Sequence, residues 1–248
     1  MKVKAKMSEF FLELFSEEVP AKLQVNARKN LFDNFKNFFE ENKVEIKGQI
    51  KVFSTPNRLV VYIDKIAKNI IKKSEEIKGP STKAPDQALE GFIRSNKIKK
   101  SQIYKKTTEK GDFYFYKSLS KKISTIDLIT KNIPDILKKI SWNKSMKWGN
   151  YDLYWGRPLK SILTVFDGKK IDYDFHHLKS SNNTYIDKDF EEKNKTFNNF
   201  KSYNSYFKSV GIIIDQNKRK SFIENELTKL SNKKNLKINF NEKLLDEI

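Results

Sequence analysis

Two apolar periodicities meet at the front of the chain, and together they constrain the fold more than any other feature. Residues 9–15, Glu9-Phe10-Phe11-Leu12-Glu13-Leu14-Phe15, are too few for an isolated helix and rich in aromatics, which predicts a buried strand. Directly behind them Leu23, Ala27, Leu31, Phe35 and Phe39 recur every four residues, with Val25, Phe32 and Phe38 alongside. That spacing lines one face of a helix from about Pro20 to Asn42. Pro20 suits the helix start, where its missing N–H costs nothing. Two strand patterns follow, 49–53 and 59–66, on either side of a proline-bearing turn. Strand, helix and hairpin in succession predict an α+β fold, with helices packed on mainly antiparallel sheets.

Further along, Lys78-Gly79-Pro80-Ser81 reads as a loop, 86–96 as a short helix, and Phe113-Tyr114-Phe115-Tyr116 as a strand with aromatics on both faces. Ser124 with Asp127 resembles a capping box opening a helix through Ile126, Ile129 and Ile133, which Pro134 should break or kink. Residues 161–166 and 169–175 flank Asp167-Gly168, a strong hairpin signal. Beyond 178 the composition turns to Ser, Asn and Lys, which predicts a domain boundary: an α+β region over 7–178, then a loop-rich segment over 179–248. Within the latter, 210–214 reads as a strand and 218–230 as a helix with Phe222, Ile223, Leu227 and Leu230 on one side. The chain stops inside what reads as the start of another amphipathic helix, which suggests a longer parent sequence.

Composition excludes several chemistries. There is no cysteine, hence no disulfide framework, thiolate zinc site or cysteine nucleophile, and a reducing, cytoplasmic setting fits. No apolar run reaches the roughly 18 residues that a bilayer crossing needs, so no membrane partner is expected. The eight glycines never stand one residue apart, which removes the dinucleotide fingerprint, and none begins a phosphate loop or serine elbow. His176 and His177 are adjacent, and in a strand would point to opposite faces, so no metal site is expected. Glu17-Glu18 is the one acidic pair beside a turn motif, read as negative charge near a helix N-terminus. No catalytic residue is found.

Charge is the informative residue of this elimination. Fifty Lys and Arg against 31 Asp and Glu leave +19, yet only five of the cations are arginine, in a chain rich in Asn and Ile. Such a bias reads as drift towards A- and T-rich codons, with much of the excess lysine on solvated surface. Arginine that survives it is expected where a planar fork is needed. Arg58 and Arg157, each in a turn between strands, are candidates for phosphate or carboxylate contacts, or for bracing their turns through backbone carbonyls. Trp142-Asn143-Lys144-Ser145-Met146-Lys147-Trp148 interleaves aromatics with cations, a pattern that stacks bases or plugs a core. Arg58, Lys147, Trp148 and Arg157 are the candidate RNA-binding residues.

Six segments in order resemble the β subunit of bacterial tetrameric glycyl-tRNA synthetase. They are Phe11 to Pro20, Phe53-Ser54-Thr55-Pro56-Asn57-Arg58-Leu59, Lys78-Gly79-Pro80, Lys110-Gly111-Asp112, Met146-Lys147-Trp148-Gly149 and Arg157-Pro158. The chain departs from the family at Ile186-Asp187-Lys188, where a glycine, histidine and arginine are usual. The resemblance implies a B3/B4-like fold at the front, and an α2β2 ligase joining glycine to tRNA(Gly). In that division of labour ATP, with Mg, is used by the α subunit, while β binds tRNA and the α partner and holds no cofactor. A free RNA-binding module derived from such a subunit is the alternative.

Overall fold

In the computed structural model, which describes residues 6–72, 74–186, 194–239 and 241–245, the front of the chain forms β1 (Met7–Ser16), α1 (Ala21–Glu41) and the hairpin β2 (Ile50–Thr55) and β3 (Arg58–Ala67). Next come β4 (Asn69–Lys72), β5 (Glu76–Ser81), α2 (Asp86–Asn96), β6 (Ile103–Thr108), β7 (Gly111–Lys117) and β8 (Lys121–Ser124). After α3 (Thr125–Lys138) lie short β9 (Met146–Lys147) and β10 (Tyr154–Trp155), long β11 (Leu159–Phe166) and short β12 (Lys169–Lys170). Two small hairpins follow, β13 (Asp174–Phe175) with β14 (Leu178–Lys179), and β15 (Asn183–Tyr185) with β16 (Asn194–Thr196). The described chain closes with α4 (Phe200–Ser209), α5 (Gln216–Lys234) and a single turn, α6 (Glu242–Leu245).

The compact units do not follow the predicted boundary at 178. One runs up to Lys68 and resumes at Ser124; the other, Asn69–Ile123, is inserted between its halves. In the first unit an antiparallel sheet orders its strands β12-β11-β1-β3-β2, so the predicted front strand is central. Burial on both faces explains its nearly unbroken apolar run, where a half-exposed strand would alternate. Phe10 and Phe11 point to opposite faces. Phe10 meets Phe35 of α1 at 5.6 Å between ring centroids, while Phe11 meets Tyr203 of α4 at 4.7 Å. Each buried ring contributes about 1.5–3 kcal/mol.

Residues beyond 178 therefore belong to this core: Phe197, Tyr203, Phe207 and Ile214 pack with Phe11, Phe53, Val60, Leu163 and Val165. Without them one face of the sheet would be bare. The predicted strand at 210–214 joins no ladder; Gly211 turns the chain at φ 83° and Ile214 is buried as an extended segment. Pro134 does not end α3, which continues to Lys138. Ile133, Ile136 and Leu137 are buried there, and their ~1.5–3 kcal/mol each outweighs the ~3 kcal/mol cost of an internal proline. Asp167 and Gly168 both have positive φ, as the Asp-Gly turn requires, but the ladder after them lasts only two residues, not the predicted seven.

The inserted unit is a three-stranded antiparallel sheet, β5-β7-β6, with β4 paired to β8. Its helix α2 lies on one face, Phe92 edge-on to Tyr116 at 5.8 Å. The predicted loop at 78–81 is part of strand β5. A register shift between Lys78 and Ser81 sets Gly79 and Pro80 in a bulge, where a proline removes no ladder bond. Gly79 lies under Phe92, and a Cβ there would come within 2.7 Å of the ring.

Candidate nucleic-acid interface

The four candidate residues separate into a buried one and a surface group. Arg58 opens β3 and is 4% exposed. Its Nη2 donates to the carbonyls of Tyr185 and Ile186 at 2.7 and 3.3 Å. Nε lies 3.2 Å from Glu13 Oε2 but off the line that a hydrogen bond needs, so the pair is ionic. Phe15 and Phe207 sandwich the guanidinium, their centroids 4.7 and 4.4 Å from its central carbon. No face is left for RNA. Of the two roles that the sequence allowed, bracing through carbonyls is the one the geometry displays. The bracing holds the 184–186 element, whose departure from the family pattern continues into Asp187 and Lys188, outside the described residues.

Glu13 completes the cluster, since Tyr203 donates its hydroxyl proton to Oε2. Burial pushes the Glu13 carboxyl above its ordinary range, against the pull of Arg58. Burial likewise raises the Tyr203 phenol, with the Glu13 charge adding to it. A buried carboxylate, guanidinium and phenol closed on one another form a structural tie with no route to a substrate.

Lys147, Trp148 and Arg157 do come together, on and beside the β9–β10 pair. Lys147 pairs with Tyr154, and Trp148 Nε1 donates to the carbonyl of Trp155 at 3.0 Å. Trp155 is buried, tilted on Trp142 at 5.1 Å and edge-on to Phe175 at 5.9 Å. The tryptophans are thus packing groups at this site. Gly156 is required by that packing, because a Cβ would stand 2.5 Å from the Trp142 ring. Arg157, partly exposed, donates Nε to the Glu18 carbonyl at 3.1 Å and Nη1 to that of Gly156 at 3.3 Å. Glu17 faces Lys160 at 3.7 Å, rather than a helix N-terminus.

Exposed chemistry is carried by other side chains. Lys147 holds Asp152 at 2.7 Å, and this hydrogen bond raises the lysine's pKa and lowers the carboxylate's. An ion pair this exposed adds little to stability, so a phosphate can displace Asp152. Tyr151 and Tyr154 are 48% and 65% exposed and present rings on the same stretch. Reasoning from the sequence missed both tyrosines by following the larger tryptophans. The signal was there: Leu153 and Trp155 are buried while Tyr154 is not, a strand alternation that sends its ring outward.

Tyr151 stacks on His177 at 3.7 Å and 11°. The two histidines occupy the turn between β13 and β14, with His176 at φ 53°, rather than a strand. Burial lowers the His176 pKa. Among the described residues no group of three His, Asp or Glu could hold a metal ion, and no helix is long and apolar enough to cross a membrane. The arrangement can bind an anion and stack a ring.

Comparison with known proteins gives this geometry a context. Residues 10–248 match the family model described as glycyl-tRNA synthetase beta subunit. The glycine–tRNA ligase beta subunits of Rickettsia prowazekii (strain Madrid E) and Rickettsia typhi (strain ATCC VR-144 / Wilmington) are each 36% identical over 242 residues. That of Rickettsia canadensis (strain McKiel) is 34% identical over the same length. Each alignment covers 98% of this chain and 36% of the relative, so the chain spans about a third of the length of these proteins.

Proposed function

Because the chain belongs to the glycyl-tRNA synthetase beta-subunit family, we propose that it is the tRNA-holding and subunit-joining front of a glycine–tRNA ligase, and that glycine is activated on a separate α subunit. The family match across residues 10–248 carries this reading. The described residues support it by offering cations and rings at the surface. In this scheme ATP and its Mg are bound by the α subunit of an α2β2 assembly.

Binding is electrostatic in the first instance. Lys147 exchanges Asp152 for an RNA phosphate, and Arg157, its fork oriented by the Glu18 and Gly156 carbonyls, contacts a second. Trp148 fixes the hairpin through Trp155, and Tyr151 and Tyr154 offer rings to unpaired bases. Arg58 contributes by holding the 184–186 element in place.

The test combines the purified chain with tRNA(Gly), glycine and ATP, with and without purified α subunit. Salt-dependent tRNA binding with no glycyl-tRNA formed by the chain alone is the expected result. Glycylation by the chain alone would overturn the proposal. Binding of tRNA without co-elution of the α subunit would instead favour the free RNA-binding module.

A further inference from the structure

The inserted unit carries a disproportionate share of the positive charge. Residues 69–123 hold fourteen Lys and Arg against six Asp and Glu, whereas the rest of the chain has thirty-six against twenty-five. Within its sheet, β-strand alternation sorts these side chains by face. Tyr116, Tyr114, Ile103 and Ile77 lie on the side that α2 covers. The other side presents Phe113 and Phe115 of β7, Tyr104 and Lys106 of β6, and Lys78 of β5.

On that second side the lysines are parked over rings. Lys78 Nζ stands 3.4 Å from the Phe113 centroid, and Lys106 Nζ 5.5 Å from that of Phe115. Tyr104 stacks on Phe115 at 6.4 Å and is 38% exposed. Glu76 accepts hydrogen bonds from the Tyr104 hydroxyl and from Lys106, which aligns both side chains on the same patch. Phe115 is buried beneath this shell, so the rings serve as a floor and the ammonium groups as the surface. An exposed cation–π contact is weak, so each ammonium is pre-placed yet exchangeable.

We propose that the face of the 69–123 sheet opposite α2 is a second RNA-binding surface, in which Lys78 and Lys106 contact phosphates of a single-stranded segment and Tyr104 stacks a base. This rests on the reading of the chain as an RNA holder, and adds a site distinct from the β9–β10 hairpin. Net charge identifies the class of partner, because a polyanion gains counterion release from each lysine it meets. The exposed ring identifies an unpaired strand, whose bases are free to stack.

The experiment uses the full chain and two probes, a short fluorescein-labelled oligouridine and tRNA(Gly), titrated over a range of salt. Lys78→Ala/Lys106→Ala should weaken oligouridine binding about tenfold or more, and should reduce the slope of log K against log salt by about 1.4, at roughly 0.7 per lysine. Tyr104→Ala should weaken it by about fivefold or more with the slope unchanged. Lys208→Ala/Lys233→Ala, an equal loss of charge outside the inserted unit, serves as the control and should stay within about threefold. Circular dichroism and thermal unfolding should be the same for all variants.

If the double variant and Tyr104→Ala bind oligouridine as the control pair does, this surface is not a site, although tRNA binding through the hairpin would stand. If wild type binds neither probe at low salt, the RNA-holding reading itself fails.

Discussion

Arg28, Arg58 and Arg219 of the first unit and the lysines of the inserted unit are used in opposite ways. In the first unit Arg58 is buried between two rings, tied to a carboxylate and two carbonyls. Arg28 and Arg219 there also donate to protein oxygens, at Ser54 Oγ and at the Ile213 and Ser54 carbonyls. In the inserted unit the cations are nearly all lysine and exposed, and Lys78 and Lys106 rest on ring faces. A planar fork satisfies several fixed acceptors at once, whereas a hydrated point charge on a flexible stem suffices at a surface. Composition that drifts towards lysine therefore leaves arginine where the architecture needs it. The contrast teaches that Arg28, Arg58 and Arg219 persist where a fork meets fixed acceptors, and that abundant lysine supplies a surface open to a partner.

Arg58→Ala should be the most damaging test of this contrast. It strands the Glu13 carboxylate in the core, which costs about 3–5 kcal/mol. Urea unfolding monitored by tryptophan fluorescence measures it, and a loss no larger than that of Lys78→Ala would break the distinction. Gly156→Ala follows, at about 1–3 kcal/mol, because the Trp142 ring must move away from the new methyl. Its effect should be confined to stability, with a proportionate fall in the urea midpoint.

Titration sharpens the same comparison. Burial raises the Glu13 carboxyl in the folded state, so between the ordinary glutamate value and that raised value the folded chain holds more protons than the unfolded one. Stability from this group is therefore greatest on the acid side of the window, and falls as pH rises through it. Glu13→Gln should flatten that part of the stability profile, and an unchanged profile would show that the carboxyl is not perturbed. The smallest effect is expected for Phe222→Ser/Leu230→Ser on α5, where both side chains are 54% exposed. Its unfolding free energy should change by no more than about 0.5 kcal/mol per site.

Legibility in the sequence followed the strength of the periodicity. β1, α1 and the β2–β3 hairpin were readable because burial on one or both faces wrote an uninterrupted apolar pattern. In the inserted unit the helix at 86–96 and the strand through 113–116 were readable, but β5 and β6 were not, since they carry lysines on the open side of their sheet and leave little alternation to see. Isoleucines at 212–214 imitated a strand because burial was mistaken for pairing; Ile214 is buried without a ladder. At the candidate site, the bonding of Arg58 to backbone carbonyls could be stated in advance, but not that the carbonyls belong to Tyr185 and Ile186 rather than to its own turn. Its partner Glu13 could not, because a carboxylate in the middle of an apolar strand gives no sign of which distant residue will neutralise it. The domain boundary failed for a related reason: a polar stretch such as 179–196 can precede residues that fill the core.

The most direct measurement is tRNA(Gly) binding by the purified chain over a range of ionic strength, compared between wild type and Lys147→Ala. On the present account, log K falls linearly with log salt, and loss of this one lysine lowers the slope by about 0.7–0.9. Binding that ignores salt, or no binding even at low salt, would contradict it.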